Sequence, residues 1–465
     1  MTFKKLLVIV AALLGLALPA KAQVKFKNAS VHDPSVLFAD GTYYIYGSHM
    51  QAAKSEDLQD WKLFSKLDKC TLQPDYALQF KDALTYAETG TFWAPDVIRL
   101  ADGRYYMYYC CCEGSKPLAA LGLAVSDSPE GPFENVRILL KSGAPGYDAT
   151  KLPNAIDPCV FFDGEDRLWM VYGSYSGGIF LLELDPATGL IREGQEPYGV
   201  HLLGGNHSCI EAPYMIYNRE TGYYYLFLSF GGLGANDGYN MRVCRSKRVE
   251  GPYEDATGHD MRDCACQPGN FWNNDDIAPY GVKLMGGYQF TPLAGENSAK
   301  ATALRSPGHN SVFFDEETGR WFLIHHTRFA SSGERYIVQT REMWFNDYGW
   351  PCVAPTRYVT DDRIPKEAEL RLDGAWKLLR HEQDVNLEEH TSVQVEFSPE
   401  GEISGEYAGT YAAEGESITL ALDGVEYHGR LAVGYDGDQD AFVSTFTAMS
   451  GDGQTLWGVR ATGQA

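Results

Sequence analysis

The chain is poor in positive charge. Its 39 lysine and arginine residues stand against 62 aspartate and glutamate residues, so the formal net charge is 39 − 62 = −23. A surface this acidic repels a phosphate backbone unless a local basic patch compensates, and no lysine or arginine cluster longer than a few residues occurs. The deficit therefore argues against nucleic-acid binding.

Long apolar runs are missing beyond the N-terminus. Residues 6–18 form an apolar stretch that follows two lysines and precedes an Ala-Lys-Ala sequence, the pattern of a secretory signal peptide. A membrane anchor is the alternative, but a span needs about 20 apolar residues and this run is shorter. We therefore predict a signal peptide over residues 1–22, a secreted or periplasmic location and no membrane span.

Cysteine is scarce for a predicted exported chain of 465 residues. The ten cysteines lie at irregular intervals and show no zinc spacing, which excludes a scaffold built from disulfides or structural zinc. Export leaves one or two disulfide bridges possible. Cys159, Cys209 and Cys244 lie within apolar strand patterns, where a small buried thiol is the simpler interpretation.

One pattern is present five times. Each copy has a short apolar strand, a turn that contains glycine, and a strand rich in aromatic residues, which together predict a β-hairpin. The copies begin at residues 33, 94, 157, 212 and 309, and residues from about 265 to 305 are interpreted as an insertion before the last copy. Five such units arranged radially make a five-bladed β-propeller, whereas the alternative, a β-sandwich, requires no periodic motif.

The repeated pattern stops after Pro365. Residues beyond it alternate apolar and polar positions between turn signals, which is typical of a small antiparallel barrel or sandwich. We therefore predict an all-β chain with a propeller domain over residues 23–365 and a small β-barrel domain over residues 366–465.

The strand-start positions of the five copies are expected to meet, because the innermost strand of each blade lines the propeller axis. An acidic residue at a strand start is ordinarily a turn or capping residue, but three acidic residues in register on one axis indicate a site. These positions carry Asp33, Trp93, Asp157, Glu211 and His309.

Convergent carboxylates in a narrow cavity push their pKa values apart, so that one stays protonated while another stays ionised. Glycoside hydrolysis needs this division, because a protonated acid donates to the leaving oxygen and an ionised one activates water or attacks the sugar. Trp93 is the aromatic residue that we expect to stack on a sugar, whereas most other aromatic residues are interpreted as packing between blades.

The strand-start motifs resemble those of glycoside hydrolase family 43, and within it those of the secreted endo-α-1,5-L-arabinanases. The resemblance covers about residues 30–350, and the tail resembles the small β-barrel domain of the extended arabinanases. The motifs are His32-Asp33-Pro34-Ser35, Trp93-Ala94-Pro95-Asp96, Asn154-Ala155-Ile156-Asp157-Pro158, Gly173-Ser174-Tyr175-Ser176-Gly177-Gly178-Ile179, Ile210-Glu211-Ala212-Pro213 and Gly308-His309-Asn310-Ser311.

The resemblance implies hydrolysis of arabinan, a pectin side chain, with inversion at the anomeric carbon. Asp33 would be the general base, Glu211 the general acid, and Asp157 the residue that tunes the pKa of the acid and orients it. Inversion places the acid and base about 6.5 to 9.5 Å apart, which leaves room for a water molecule. The substrate-binding residues would be Trp93, Asn154, Ile156 and Ser174.

The family resemblance also implies a channel ion, usually calcium, held largely by water with one histidine, which corresponds to His309. Calcium prefers oxygen ligands, so the residues alone do not predict it, and a hydrogen-bonded core histidine is the alternative interpretation. We expect the protein to be a monomer.

Two departures from the family pattern leave the mode of cleavage open. Cys110-Cys111-Cys112 is expected to form a loop near the substrate groove, and the insertion around residues 264–297 is unfamiliar. Either could narrow an open groove into a pocket and give exo action. The remaining alternatives are a family 43 hydrolase directed at xylan and a carbohydrate-binding propeller without catalysis.

Overall fold

Five radial β-sheets and one closed β-barrel make up the structure, a computed structural model that describes residues 24–114 and 116–462. This architecture confirms the predicted all-β class, the five-bladed propeller and the barrel form of the small domain. The predicted signal peptide at residues 1–22 lies outside the described residues. Among the described residues, the structure contains no helix of sufficient length and apolarity to cross a membrane.

Each of the first two blades is a four-stranded antiparallel sheet whose strands follow in chain order from the axis outward. Two short helices connect these blades and pack against the second. The elements are β1 (Ser35–Ala39), β2 (Thr42–Gly47), β3 (Gln51–Ser55), β4 (Lys62–Ser65), α1 (Tyr76–Gln79), α2 (Lys81–Tyr86), β5 (Trp93–Arg99), β6 (Tyr105–Cys112), β7 (Ala119–Ser126) and β8 (Glu134–Ser142).

The third and fourth blades repeat this four-stranded order. Their elements are β9 (Cys159–Phe162), β10 (Leu168–Ser174), β11 (Gly178–Leu184), β12 (Val200–Leu203), β13 (Ile210–Asn218), β14 (Tyr223–Phe230), β15 (Asn240–Ser246), α3 (Asn274–Ile277) and β16 (Val282–Met285). The region interpreted as an insertion therefore contains β16, the outermost strand of the fourth blade, so only part of it is additional to the repeat.

The fifth blade contains β17 (Tyr288–Gln289), β18 (Leu304–Asp315), β19 (Arg320–Phe329), β20 (Tyr336–Phe345) and β21 (Pro351–Val353). It closes the ring against the first blade. The N-terminal segment runs between these two blades, where the carbonyl of Ala29 accepts a hydrogen bond of 3.0 Å from the Val338 N–H. Apolar residues of both blades share one core there, and the innermost strands β1, β5, β9, β13 and β18 contact one another in a ring.

The turns explain why the repeats fold as hairpins. In the first blade Ala39 pairs with Thr42, so that Asp40 and Gly41 alone form the loop. Both have positive φ angles, 50° and 78°, as a type I′ turn requires. This turn matches the twist of the strands that it joins, and glycine adopts it without steric cost.

The C-terminal barrel closes because its first strand pairs with its last. Apolar side chains fill its interior and form a packed core. Its strands are β22 (Gly374–Arg380), β24 (Val393–Phe397), β25 (Glu402–Gly405), β26 (Gly409–Glu414), β27 (Ser417–Leu422), β28 (Val425–Asp436), β29 (Ala441–Ser450) and β30 (Thr455–Arg460).

Charged contacts attach the barrel to the propeller. The segment after β22 returns to the fifth blade, where β23 (His390–Thr391) pairs in parallel with β17. Beside it the buried ammonium of Lys283 pairs with Asp384. A second buried ammonium, of Lys377 in the barrel, lies 3.1 Å from Glu296 Oε2 of the propeller.

All ten cysteines belong to the described part of the chain, and none of them forms a disulfide there. Cys159 and Cys244 are buried and Cys209 is partly buried. Cys110, Cys111 and Cys112 are the last residues of β6, so the predicted loop at these positions is wrong and the three cysteines form a buried strand end.

Candidate active site

One cavity on the propeller axis, of about 80 Å³, is lined by every site residue predicted from the sequence. It lies where the innermost strands begin, and we call it the axial cavity. The structure thus brings together Asp33, Trp93, Asn154, Ile156, Asp157, Ser174, Glu211 and His309. A larger groove of about 520 Å³ lies between the fifth blade and the barrel, but it holds none of the converging carboxylates.

Unusual backbone geometry aims these side chains at the axis. Asp33, Asp157 and His309 have φ angles of 56°, 55° and 45°, in the left-handed region that residues other than glycine seldom adopt. The pairing register also shifts just after Trp93 and after Glu211, where β-bulges turn the inner strands. Strained backbone of this kind is maintained by surrounding structure and concentrates at functional sites.

The Asp33 carboxylate is held in a network of histidines and one hydroxyl. His32 Nδ1 lies 2.7 Å from Oδ2, the Ser48 hydroxyl donates to the same oxygen, and His309 Nδ1 lies 3.1 Å from Oδ1. Burial by itself raises the pKa of Asp33, but the imidazoles of His32 and His309 outweigh burial and hold this pKa well below its usual range. Asp33 is therefore ionised at neutral pH.

Glu211 has the opposite electrostatic setting. The Tyr239 phenol donates to its Oε1 over 2.8 Å, and the Ser174 hydroxyl donates to its Oε2 over 2.9 Å. Burial raises the pKa of Glu211 and the charge of Asp33 adds to the rise, although His309 and the two hydroxyl donors oppose it. Glu211 therefore retains a proton at higher pH than an exposed glutamate.

Asp157 lies beside the same group. Its Oδ2 accepts a hydrogen bond of 3.3 Å from the N–H of Ala212, the residue that follows Glu211. Burial raises the pKa of Asp157 well above its usual value, and the charges of Glu211 and Asp33 add to the rise against the effect of His309. Of the three carboxyls, Asp33 thus has the lowest pKa.

His309 is the predicted ligand of a channel calcium ion. Its Nδ1 faces Asp33, so a single imidazole nitrogen remains for an ion, and the Asp33 carboxylate is already engaged with His32, Ser48 and His309. Calcium takes six to eight oxygen ligands, so these residues do not by themselves fit it and water would have to supply the rest.

A second group of potential metal ligands consists of His32, Asp33 and His326, whose ligand atoms lie within 4.8 Å of one another. The guanidinium of Arg328 lies 3.3 Å from His32 Nε2 and 3.5 Å from His326 Nε2. The same guanidinium pairs with Glu334 Oε2 at 3.0 Å and faces the Nε2 atoms of both histidines, so the group is better described as a hydrogen-bonded network beside Asp33.

Trp93 forms part of the cavity wall, and its stacking on a sugar stays a prediction. Its indole N–H donates to the carbonyl of Cys112 over 3.0 Å, and its ring lies 5.0 Å from that of His49. Cys112 and Gly114 contribute to the same wall. Burial raises the pKa of the Cys112 thiol to about 12, so this thiol is neutral and its role is to shape the wall.

Sequence reasoning missed several residues of this site. His32 precedes Asp33 in the first strand-start motif, so the sequence already indicated that it lies near the site. Three others belong to no strand-start motif: Ser48 follows β2, Leu233 lies in the loop between β14 and β15, and Tyr239 immediately precedes β15. Only the fold brings them to the axis, where Leu233 lines the cavity and the other two bind the catalytic candidates.

Comparison with known proteins identifies similar chains. Residues 26–275 match the family Glycosyl hydrolases family 43, and residues 355–458 match a C-terminal lipocalin-like domain of that family. The chain is 45% identical to extracellular endo-alpha-(1->5)-L-arabinanase 2 of Bacillus subtilis, over 93% of both chains. It is 40% identical to the extracellular endo-alpha-(1->5)-L-arabinanase of Thermotoga petrophila, over 99% of both.

Solved structures give the same picture. The family 43 YxiA protein of Bacillus licheniformis superimposes with a TM-score of 0.88 at 44% identity, over 95% of this chain and all of that one. The endo-1,5-alpha-L-arabinanase of Thermotoga petrophila gives 0.87 at 40% identity, over 94% of this chain and all of that one. A further relative by sequence, the extracellular exo-alpha-(1->5)-L-arabinofuranosidase of Cellvibrio japonicus, is 32% identical over 70% of this chain and 87% of the relative's chain.

Proposed function

The chain belongs to glycosyl hydrolase family 43 and is a glycoside hydrolase, and on that premise we propose that it cleaves α-1,5-L-arabinofuranosidic bonds within arabinan, with inversion. The observation that carries the proposal is the pairing, in one buried cavity, of an ionised Asp33 with a Glu211 whose pKa is raised. An inverting glycosidase requires one carboxylate of each kind.

In the proposed reaction Glu211 donates its proton to the glycosidic oxygen as the bond from that oxygen to the anomeric carbon breaks. Asp33 accepts a proton from a water molecule whose oxygen forms the new bond to the same carbon from the opposite face. Afterwards Asp33 releases its proton and Glu211 takes one up from solvent. General acid catalysis and general base catalysis of this type each raise the reaction rate by about 10²- to 10⁴-fold.

Asp157 has a positioning role in this scheme. Its carboxyl holds the backbone N–H of Ala212, which fixes the peptide on the C-terminal side of Glu211. Ser174 and Tyr239 hold both oxygens of Glu211 from other blade positions. Together these contacts restrict the acid to one orientation, and the negative charge of Asp157, when ionised, favours a protonated Glu211.

Endo action is proposed over exo action because the relatives that match nearly all of this chain are named endo-arabinanases. Two relatives that are named endo-arabinanases match 93% and 99% of this chain at 45% and 40% identity, whereas the relative named as an exo-arabinofuranosidase matches 70% at 32% identity. We likewise propose export of this chain, because all three relatives are named extracellular proteins.

The test is a product profile. Protein consisting of residues 23–465 is incubated with linear arabinan and, in parallel, with xylan. Samples taken over time are separated by chromatography, and the first product is examined by proton NMR before its anomers equilibrate. We expect mixed oligosaccharides at early times and inverted configuration. A single small product would instead establish exo action, release from xylan alone would change the substrate, and binding without any release would establish a non-catalytic propeller.

A further inference from the structure

Two large aromatic side chains remain exposed beside the axial cavity. Phe271 is 41% exposed and Trp272 is 53% exposed, both in the irregular segment before α3. Adjacent exposed aromatic residues that are rigidly held commonly mark a binding surface, because their burial in the protein core would otherwise be favourable. Neither residue belongs to a strand-start motif.

The Trp272 ring is fixed against the wall of the axial cavity. It stacks on His207 with ring centres 5.0 Å apart and an angle of 29° between planes, and it meets Tyr175 edge to face at 6.0 Å. Tyr175 itself lines the axial cavity. The exposed indole is therefore one ring beyond the cavity wall, on the side where Ser174 holds Glu211.

The backbone keeps this arrangement in place. Trp272 has a φ angle of 64°, in a region where a bulky residue is a genuine outlier, and its N–H donates to the carbonyl of His207 over 3.3 Å. The segment is anchored upstream, where the Cys266 N–H donates to Ser208 Oγ over 2.7 Å and its carbonyl accepts from Asn206 over 2.9 Å. Strain that is held in this way is typical of functional positions.

We propose that Trp272, backed by His207 and Tyr175, is a sugar-stacking platform that forms a distal subsite for a further arabinofuranosyl unit of the substrate chain. The face of an indole offers an apolar surface to the C–H face of a sugar, and its rigidity limits the entropy lost on binding. This inference rests on the proposed function, because it assumes that the axial cavity cleaves arabinan. It makes the segment before α3 an extension of the substrate-binding surface beyond the axial cavity.

The first test compares Trp272→Ala with the unaltered protein on arabino-oligosaccharides of increasing length. The KM for long chains is expected to rise roughly three- to tenfold, while the shortest cleaved oligosaccharide, which does not reach the platform, keeps its kinetics. Trp272→Phe retains an aromatic face and is expected to recover most of the loss. Phe38→Ala removes another exposed aromatic side chain, at the far end of β1 from Asp33, and is the matched control.

The second test measures binding without turnover. In a Glu211→Gln background, calorimetry with a long arabino-oligosaccharide is expected to show weaker binding when Trp272 is also replaced by alanine. Equal affinity with and without the indole, or equal KM changes at every chain length, would overturn the platform while leaving arabinan hydrolysis intact. Failure of the unaltered protein to hydrolyse arabinan would overturn the proposed function and the subsite together.

Discussion

The phenol of Tyr239 donates a hydrogen bond of 2.8 Å to Oε1 of Glu211, and both side chains are buried. Such a bond stabilises the ionised carboxylate and so lowers the pKa of Glu211 against the opposing effect of burial. The phenol therefore limits how far the pKa of the proposed acid rises.

Removing this phenol is expected to shift the pH profile. In Tyr239→Phe the pKa of Glu211 rises further, so the acid stays protonated to higher pH. The alkaline limb of the plot of kcat against pH therefore shifts to higher pH. Tyr108→Phe is the control, because this buried phenol donates to the carbonyl of Gly189 and not to a carboxylate. A profile that stays in place in Tyr239→Phe would contradict the assignment of Glu211 as the acid.

Substrates with different leaving groups are expected to separate the roles of the two carboxyls. We expect the rate of arabinan hydrolysis to fall by about 10²- to 10⁴-fold in Glu211→Gln and likewise in Asp33→Asn. An aryl glycoside of an arabino-oligosaccharide with a good leaving group needs no protonation, so Glu211→Gln recovers much of its rate there and Asp33→Asn does not. Equal losses on both substrates for Glu211→Gln would count against its role as proton donor.

Gly308 is expected to be required for the position of Tyr239. A Cβ atom at Gly308 would lie 2.0 Å from Cε1 of Tyr239, and the Tyr239 side chain is fully buried. We expect Gly308→Ala to destabilise the protein by about 1–3 kcal/mol and to lower kcat, because the ring that holds Glu211 must move. Gly90→Ala, whose Cβ meets nothing within 4 Å, is the matched control for thermal unfolding and kinetics.

The ion pair between Asp384 and Lys283 is expected to stabilise the junction of barrel and propeller. Burial alone raises the pKa of Asp384, but His390 and Lys283 lower it to about 2. Because the folded pKa lies below the unfolded value, this stabilisation is present above about pH 4 and is lost as the pH falls towards 2.

We therefore expect Asp384→Ala to lower the free energy of unfolding at pH 7 by about 3 kcal/mol, since it leaves the buried ammonium of Lys283 uncompensated. Denaturant unfolding at several pH values measures the difference, which should shrink below pH 4. The double variant Lys283→Met, Asp384→Leu removes both charges and should lose less. An undiminished difference at pH 2.5 would be inconsistent with this account.

Calcium remains a prediction that chelation can test. If an ion in the channel supports catalysis, exhaustive treatment with a chelator lowers arabinan hydrolysis and added calcium restores it, while circular dichroism shows the fold unchanged. Magnesium is the control cation, because its smaller octahedral shell suits a different site. Full activity in protein shown by metal analysis to be free of calcium would reject the ion.

Much of the fold could be predicted because the repeats carry local signals. The Asp40-Gly41 turn and its aromatic strand specify a hairpin from neighbouring residues alone, and five copies specify the number of blades. The same register predicted Asp33, Asp157, Glu211 and His309 as neighbours, because equivalent positions of radial units share an axis. The Cys110–Cys112 loop was wrong because three small apolar residues extend a buried strand as readily as they end it.

What the sequence by itself determined is therefore the set of features that repeat or lie close together along the chain, namely the blades, their turns and the acidic strand starts. Only the tertiary structure decided which partners meet those acids. Ser48 meets Asp33 at the end of the β1–β2 hairpin, and Tyr239 meets Glu211 from the residue before β15 of the same blade. Trp272 reaches Tyr175 through a segment anchored on residues 206–208, between the third and fourth blades. Contacts of this kind depend on non-local packing, which has no periodic signal in the sequence.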